Sequence, residues 1–319
     1  MDAEKRFQLI KRNAVEIIEE AELKKLLKEK KSPIVYCGYE PSGPLHLGHF
    51  VTIIKLMDLE NAGFKAKVLL ADIHAFLNRK GDETLIKREV EAWKKTIRAI
   101  GLNAEVILGS DFQFDKRYQL DVMRLAQEST INRGLRSMQE IARDIEHATI
   151  SQVIYPLMQV ADIKHLEVDV ALGGMEQRKV HMIGKDMKEV LHHSFIAVHT
   201  PLITGLKGPG EKMSKSIPGS GISVTDIYEE IKKIISKAYC PEKSVQENPI
   251  LQICKLIIFP HLNKIEIKRD KKFGGDLEFE DYNELEKSYV SGKLHPVDLK
   301  NSVAESLEKI IAPIRKNWK

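Results

Sequence analysis

Apolar residues recur at helical and strand intervals in alternation along the first two thirds of the chain. Helical spacing covers residues 4–30, 47–61 and 83–100. Short runs typical of β-strands lie at residues 34–36, 66–71, 104–108, 168–172 and 195–198. Strands that alternate with helices favour a parallel sheet with helices on both faces. The pattern therefore predicts an α/β fold with a Rossmann-like parallel-sheet domain.

Two later changes in the pattern divide the chain. Residues from 115 to about 150 are helical and polar without a strand signal, which predicts a helical insertion in the sheet domain. Residues 205–221 hold five glycines and two prolines and fit no regular element, which predicts a mobile loop and linker. Helical spacing then returns at residues 224–238, 250–258, 282–291 and 296–316. We predict domains at 1–204 and 222–319, the second smaller and all-helical.

Composition narrows the class of protein. The chain of 319 residues has 43% hydrophobic and 30% charged residues, which is ordinary for a globular protein. Its net charge of +4 does not by itself indicate nucleic acid, although basic residues gather at 264–272 and 315–319. The three cysteines Cys37, Cys240 and Cys254 follow no metal-ligand spacing, so we expect no metal site. Lacking an apolar leader or a run of about 20 apolar residues, the chain is expected in the cytoplasm, away from membranes.

The strongest chemical signal lies where the first strand of the sheet feeds a helix. Residues 41–49 read Pro-Ser-Gly-Pro-Leu-His-Leu-Gly-His. A helix start at the end of a parallel strand offers N–H groups and a positive dipole end to phosphate. His46 and His49 are three apart and share a face, so they can donate hydrogen bonds to a phosphate in its transition state, while Gly48 lets a nucleotide approach the backbone. The alternative is that both histidines only cap a helix or fill a core.

A second segment supplies positive charge on the predicted mobile loop. Lys212-Met213-Ser214-Lys215-Ser216 places two ammonium groups where loop closure can cover a departing pyrophosphate and exclude water. Alone, such a segment is typical of a solvated surface loop. Together with the histidine motif it predicts ATP-dependent adenylyl transfer, with His46, His49, Lys212 and Lys215 as catalytic residues.

These two segments resemble the HIGH and KMSKS signatures of class I aminoacyl-tRNA synthetases. Leu47 replaces the isoleucine of the first signature, which is a volume-conserving change. Over nearly its whole length the chain resembles tyrosyl-tRNA synthetases of the archaeal and eukaryotic type, at residues 36–43 (YCGYEPSG), 70–75 (LADIHA), 155–162 (YPLMQVAD), 173–179 (GGMEQRK) and 295–301 (HPVDLKN). The resemblance implies that ATP is bound by Gly38, His46, Gly48, His49, Gly174, Lys212, Met213, Ser214, Lys215 and Ser216.

The resemblance also implies a pocket for an amino acid. Tyr36 and Asp162 would bind a phenol hydroxyl, and the ammonium and carboxylate end would be held by Tyr155, Gln159 and Gln177. His74 and Gln113 would line the same pocket. The helical spacing of Tyr155, Gln159 and Asp162 independently places them on one face. A satisfied polar network in the core is the alternative.

For tRNA, the resemblance implies contacts in two regions. The acceptor end would meet Arg133, Arg136 and Arg178, and the insertion would form a homodimer. Phe273 would stack on an anticodon base and Asp298 would accept a hydrogen bond from a base edge, although Phe273 could instead be a core aromatic. The implied activity converts L-tyrosine and ATP, accompanied by Mg²⁺, to tyrosyl-adenylate and then transfers tyrosine to the 3′ end of tRNA(Tyr).

Three other functions remain open from the sequence. A tryptophanyl-tRNA synthetase has the same architecture and differs at the Tyr36 and Asp162 pair. An adenylyltransferase for a small metabolite would use the histidine motif without tRNA. A non-catalytic RNA-binding paralogue would have lost activity, although both signatures are present here.

Overall fold

In a computed structural model that describes residues 1–141, 147–210, 213 and 217–318, the five predicted strands and one further strand form a six-stranded sheet. The strands are β1 Glu16–Ile18, β2 Ile34–Tyr39, β3 Lys65–Leu70, β4 Glu105–Leu108, β5 Val170–Gly174 and β6 Ile196–Thr200. Their order across the sheet is β1-β6-β5-β2-β3-β4, and every neighbouring pair is parallel except β1 with β6. The predicted α/β, Rossmann-like fold class is confirmed.

The order of the strands reverses between β2 and β5. From β2 the chain moves outward to β3 and β4, and it then returns to place β5 and β6 on the other side. Tyr36 of β2 lies beside Ala171 of β5 in the parallel register. Every residue of β5 and β6 is buried, as expected for central strands covered on both faces. Ligands in such sheets bind beyond the carboxyl ends of the strands at the point of reversal.

Helices α1–α10 connect and flank these strands: α1 Ala3–Lys11, α2 Glu20–Glu29, α3 Leu47–Asn61, α4 Asp72–Leu77, α5 Glu83–Ile100, α6 Lys116–Glu128, α7 Ile131–Met138, α8 Ile150–His165, α9 Arg178–Asp186 and α10 Lys188–Leu191. Helices α3 and α5 have the bounds that the apolar spacing predicts. The predicted helical insertion contains α6 and α7, and residues 142–146 of it lie outside the described part of the chain.

The prediction of a helix throughout residues 4–30 is wrong. The structure has α1, the strand β1 and then α2. Asn13 and Glu19 adopt left-handed backbone conformations, with φ of 55° and 66°, which a helix cannot continue through. Between them β1 pairs antiparallel with β6. The partner strand lies about 180 residues further along the chain, so the apolar spacing near β1 cannot indicate this pairing.

Helices dominate the C-terminal third, as the sequence predicts. They are α11 Tyr228–Lys237, α12 Pro249–Ile253, α13 Phe259–Leu262, α14 Tyr282–Val290 and α15 Pro296–Trp318, with a π-helical turn at Cys254–Ile258 that joins α12 to α13. A two-stranded antiparallel hairpin of β7 Ile265–Ile267 and β8 Leu277–Phe279 is an addition to the prediction. Its strands have three residues each, which is too short for a clear alternation of apolar and polar positions.

The chain divides into two compact units. The first holds residues 1–42, 55–94 and 102–201, and the second holds residues 43–54, 95–101 and 202–319. The six-stranded sheet is in the first unit, and His46 and His49 are in the second with the C-terminal helices. The domain boundaries drawn from the sequence stay predictions. Within the described residues, no helix combines the length and the apolar character needed to cross a membrane.

Candidate active site

The first unit gathers polar side chains between β2 and α8. Tyr36 of β2 and Asp162 of α8 are 1% and 0% exposed. Burial raises the pKa of the Tyr36 phenol well above its usual value, and the charge of Asp162 adds to the effect. Tyr155, Gln159 and Asp162 follow one another at the predicted spacing within α8.

Asp162 is held by hydrogen bonds to one of its two carboxylate oxygens. Gln113 Nε2 donates to Oδ1 over 2.7 Å, and the Tyr118 hydroxyl lies 2.8 Å from the same atom. Burial raises the pKa of Asp162, while His74, Gln113 and Tyr118 act in the opposite direction. The carboxylate is therefore fixed in orientation with its Oδ2 directed elsewhere.

One oxygen of this carboxylate and two buried polar atoms of neighbouring residues have no hydrogen-bond partner within the described residues: Asp162 Oδ2, His74 Nε2 and Gln113 Oε1. His74 Nε2 and Asp162 Oδ2 are 3.7 Å apart, which is too long for a hydrogen bond. Gln113 Nε2 lies 3.4 Å from His74 Nδ1, and a donor there leaves the ring hydrogen on Nε2. A ligand hydroxyl could donate to Asp162 and accept from His74 at once.

Groups suited to an ammonium and a carboxylate surround Tyr155. Gln159 Nε2 donates to Gln177 Oε1 over 3.0 Å, and the Tyr155 ring packs edge-on against His74. Burial raises the pKa of Tyr155, and the carboxylate of Glu40 raises it further. That carboxylate is itself positioned by Asn78 Nδ2 and Lys80 Nζ, at 3.0 and 2.7 Å.

Sequence reasoning missed Glu40 and Tyr118. Glu40 follows β2 directly, and an acidic residue at the carboxyl end of a parallel strand is a signal that could have found it. Tyr118 belongs to α6 in the insertion, and its contact with Asp162 spans 44 residues. No local pattern identifies that contact.

In the second unit, the histidine motif is paired with the chain that follows the predicted loop. Leu47 N–H donates to the Ile222 carbonyl over 2.9 Å, and Val224 N–H donates to the Leu45 carbonyl over 3.1 Å. His46 and Ser223 form an isolated antiparallel bridge between these bonds. The start of α3 is therefore tied to residues 222–224.

The imidazoles of His46 and His49 stack, with ring centroids 3.8 Å apart. His46 Nδ1 accepts from the Gly48 N–H over 3.1 Å, and His49 Nδ1 lies 3.4 Å from the His46 N–H. A ring nitrogen that accepts carries no hydrogen in the neutral imidazole, so each ring has its N–H at Nε2. Both rings can thus donate to phosphate oxygen without first becoming charged.

Gly48 lies close to Met213, the one described residue of the lysine-serine motif. A Cβ added to Gly48 would be 3.0 Å from the His46 ring and 3.6 Å from the Met213 carbonyl oxygen. Met213 is 5% exposed and its N–H donates to the Ile203 carbonyl. The structure thus brings the middle residue of the lysine-serine motif to the histidine motif. The other four predicted residues of that motif, Lys212, Ser214, Lys215 and Ser216, lie outside the described residues.

The remaining glycine candidates belong to the first unit, Gly38 in β2 and Gly174 at the end of β5. The neighbouring Gly173 is needed for packing, because a Cβ there would lie 2.8 Å from side-chain atoms of Gln177. Gly173 therefore permits the position that Gln177 takes against Gln159.

Arg178 begins α9 and forms a bidentate ion pair with Glu16 of β1. Arg178 Nε and Nη2 donate to the two carboxylate oxygens over 2.8 and 2.9 Å. Behind Glu16, His199 Nδ1 lies 3.1 Å from Oε2, and His199 Nε2 lies 2.9 Å from His181 Nδ1. Both imidazoles are completely buried. The pair at the surface is thus connected to the core.

The two buried histidines should make the fold sensitive to acid. Burial lowers the pKa of His181 from its ordinary 6.5 to about 3, and burial also lowers that of His199. Below pH 6.5 these histidines take up protons in the unfolded chain but stay neutral in the folded chain. The free energy of unfolding is therefore unaffected by them above pH 6.5 and falls as the pH decreases towards 3. At pH 5 the loss is about 2 kcal/mol for His181, and His199 contributes in the same direction.

Urea unfolding at pH 7 and pH 5 measures this loss. We expect His181→Leu to be less stable at pH 7 but to lose about 2 kcal/mol less than the unmodified chain between the two pH values. Replacement of the exposed His192 by Asn is the control and should leave the difference unchanged. Equal losses in the His181 variant and the unmodified chain would contradict the assignment.

The other nucleic-acid candidates are at or near the surface of their units. Arg133 pairs with Asp186, and the exposed Arg136 bonds to the Asn132 carbonyl within α7. Phe273 is 62% exposed, with Lys272 Nζ 4.9 Å from its ring centroid, so it is not a core aromatic. Asp298 lies in the first turn of α15.

Comparison with known proteins identifies relatives of the whole chain. A family model described as tRNA synthetases class I (W and Y) matches residues 28–312. A tyrosine–tRNA ligase of Methanopyrus kandleri is 47% identical over 99% of this chain and 98% of its own length. A tyrosine–tRNA ligase of Methanocaldococcus jannaschii is 50% identical over 97% of this chain and 98% of its own length. The crystal structure of a tyrosyl-tRNA synthetase from Archaeoglobus fulgidus, complexed with L-tyrosine, superposes with a TM-score of 0.96 at 47% identity and covers both chains fully.

Proposed function

Because the chain belongs to the class I tRNA synthetase family of tryptophanyl and tyrosyl enzymes, we propose that it activates L-tyrosine with ATP and attaches it to the 3′ end of tRNA(Tyr). Members of this family are ligases, and the two relatives named above, which match nearly the whole of this chain and of their own length, are tyrosine–tRNA ligases. We propose a cytoplasmic location, because the tRNA substrate is used there.

One observation carries the choice of tyrosine: Asp162 Oδ2 and His74 Nε2 are buried and unpartnered in the described part of the chain, 3.7 Å from each other. A phenol hydroxyl has one hydrogen to donate and lone pairs to accept, so it satisfies both atoms, with Tyr36 beside it. Tryptophan offers only an N–H donor and phenylalanine offers nothing. Each unpaired buried group would cost about 1–3 kcal/mol. The pocket therefore favours tyrosine over both.

At the other end of the amino acid, Glu40 and Tyr155 would receive the ammonium group. An ammonium donates three hydrogen bonds and accepts none, which suits a carboxylate and a phenol oxygen. Gln159 and Gln177 supply amide groups for the remaining contacts. This anchoring leaves the carboxylate of tyrosine as the nucleophile.

In the first step, an oxygen of the tyrosine carboxylate attacks the α-phosphorus of ATP, and the bond to the bridging oxygen of pyrophosphate breaks. His46 and His49 would donate their Nε2 hydrogens to phosphate oxygens as charge moves outward. Lys212 and Lys215 would neutralise the departing pyrophosphate. Mg²⁺ would arrive as part of the ATP substrate; among the described residues no cluster of His, Cys, Asp or Glu is arranged to hold a metal ion.

In the second step, a hydroxyl of the terminal ribose of tRNA attacks the carbonyl carbon of tyrosyl-adenylate and releases AMP. Arg133, Arg136 and Arg178 are the proposed contacts for the acceptor end, and Phe273 and Asp298 for the anticodon. No side chain becomes covalently attached, because positioning and charge stabilisation are sufficient.

We also propose that the insertion mediates a homodimer. Leu120 and Met123 share a face of α6 and are 46% and 62% exposed, and Phe114 and Ile131 nearby in the chain are each 69% exposed. Several exposed large apolar side chains in one region are typical of an interface.

Replacing Met123 and Ile131 together by Asp should convert the dimer to monomer, because two charges would have to be buried against apolar surface. Light scattering coupled to gel filtration measures the mass. Val290 and Val297, exposed on the C-terminal helices, are the control positions for the same double change and should leave the mass unaltered. A monomeric unmodified chain would contradict the proposal.

Charging of tRNA tests the function as a whole. Purified chain with ATP should attach labelled tyrosine to tRNA(Tyr) and should not attach tryptophan to tRNA(Trp). Formation of tyrosyl-adenylate without any charging would favour an adenylyltransferase. If the purified chain neither forms tyrosyl-adenylate nor charges tRNA, a non-catalytic RNA-binding paralogue would be favoured.

A further inference from the structure

The ion pair of Glu16 with Arg178 has no part in amino-acid activation as proposed. It joins the antiparallel edge strand β1 to the first residue of α9, across 162 positions in the chain. The two side chains are 30% and 43% exposed. An exposed ion pair of this kind usually contributes little to the free energy of unfolding, so stability alone does not account for its bidentate geometry.

Glu16 is fixed from the side of the core. The register of β1 with β6 sets Glu16 opposite His199. A carboxylate only accepts, so His199 carries its hydrogen on Nδ1, and its Nε2 must accept from the Nδ1–H of His181. With Oε2 bonded to both His199 and Arg178, the carboxylate has little freedom to turn.

Arg178 keeps donors that Glu16 does not use. A guanidinium has five N–H donors in a rigid plane, and the bidentate pair takes one from Nε and one from Nη2. Three remain, on Nη1 and the outer side of Nη2. Because the guanidinium plane is already fixed, the Arg178 side chain loses less conformational entropy when an anion binds to these donors than a freely moving arginine would.

The position of Arg178 indicates which anion this is. Arg178 directly follows Gln177, which is the proposed contact of the amino acid at its reacting end. A group bound beside that end is the one that must meet the activated carboxyl. In the proposed reaction that group is the ribose-phosphate end of tRNA.

We propose that Glu16 is a positioning residue that presents Arg178 to the acceptor end of the tRNA. This inference rests on the proposed function. Removing the carboxylate of Glu16 should change anion binding in opposite directions, depending on whether Arg178 acts through its charge alone or through its orientation. If Arg178 acted only as a positive charge, removing the adjacent carboxylate would tighten the binding of an anion. If Glu16 orients the guanidinium, the same change weakens binding.

Glu16→Gln keeps the size of the side chain and removes the charge-assisted grip. We expect the KM for tRNA in the charging reaction to rise about tenfold, because the variant loses the equivalent of one charge-assisted hydrogen bond. The rate of tyrosine-dependent pyrophosphate exchange should change by less than about twofold, because Glu16 touches neither tyrosine nor ATP in the proposed reaction. Glu20→Gln is the matched control, since Glu20 pairs with Lys24 on an exposed face of α2 and both measurements should be unaltered.

Arg178→Lys supplies a second variant, which keeps the charge but loses the planar fork. It should raise the KM for tRNA as Glu16→Gln does, and the double variant should be no worse than either single one, because both changes remove the same arrangement. An unchanged or lower KM for tRNA in Glu16→Gln would overturn the inference, and so would additive effects. Should Glu16→Gln fail to fold, a normal KM in Arg178→Lys would overturn it. Absence of tyrosine exchange in the unmodified chain would instead refute the proposed function.

Discussion

Asp162→Asn should reduce kcat/KM for tyrosine by about 10- to 100-fold in pyrophosphate exchange, the cost of a hydrogen bond to a charged group. The amide keeps its Oδ1, so the bonds from Gln113 and Tyr118 survive. Its Nδ2 is a donor where the carboxylate had an acceptor, and the phenol hydrogen is then unpaired. Phenylalanine should be no worse a substrate than before, because the variant no longer leaves a buried charge without a partner.

The ratio of the two substrates is therefore the quantity to measure. Asp121→Asn is the matched control: Asp121 is also buried, but its partners are Lys164, His165 and Arg124. It should cost stability and leave the preference for tyrosine over phenylalanine intact. A preference unchanged in the Asp162 variant would show that Asp162 does not contact the substrate hydroxyl.

His46→Ala should lower the rate of tyrosyl-adenylate formation by about 100- to 1,000-fold, the usual effect of removing one donor to a transition-state oxyanion. Binding of tyrosine alone, measured by equilibrium dialysis, should be unchanged, since the ring is assigned to phosphate. His46→Asn retains an N–H donor and should lose less activity than the alanine variant.

The control for this experiment is His295→Ala, since His295 is exposed in the second unit and has no assigned role in activation. Its exchange rate should match that of the unmodified chain. Equal losses of tyrosine binding and of exchange in His46→Ala would point to general damage, and would contradict the role in phosphate stabilisation.

Sequence patterns predicted those parts of the fold that depend on local repetition. The parallel strands, the full extents of α3 and α5, and the common face of Tyr155, Gln159 and Asp162 all follow from apolar spacing. The histidine motif was recognisable because strand, turn and helix start are adjacent in the chain. These features need only neighbouring residues for their definition.

The features that the sequence did not reveal depend on contacts between distant residues. Strand β1 exists because β6 offers an edge, and Glu16 meets Arg178 and His199 only through that pairing. Tyr118 likewise reaches Asp162 from another helix. Such partners have no fixed spacing, so neither periodicity nor a motif can indicate them.

In the proposed function, one hydroxyl-bearing aromatic amino acid completes the buried set of Asp162, His74 and Tyr36. Pyrophosphate exchange measured with each of the twenty amino acids tests it most directly. We expect exchange with tyrosine. Exchange with phenylalanine or tryptophan should be lower by at least about 100-fold, because either one leaves buried polar groups unpaired. Comparable exchange with tryptophan or phenylalanine, or exchange with a different amino acid, would contradict it.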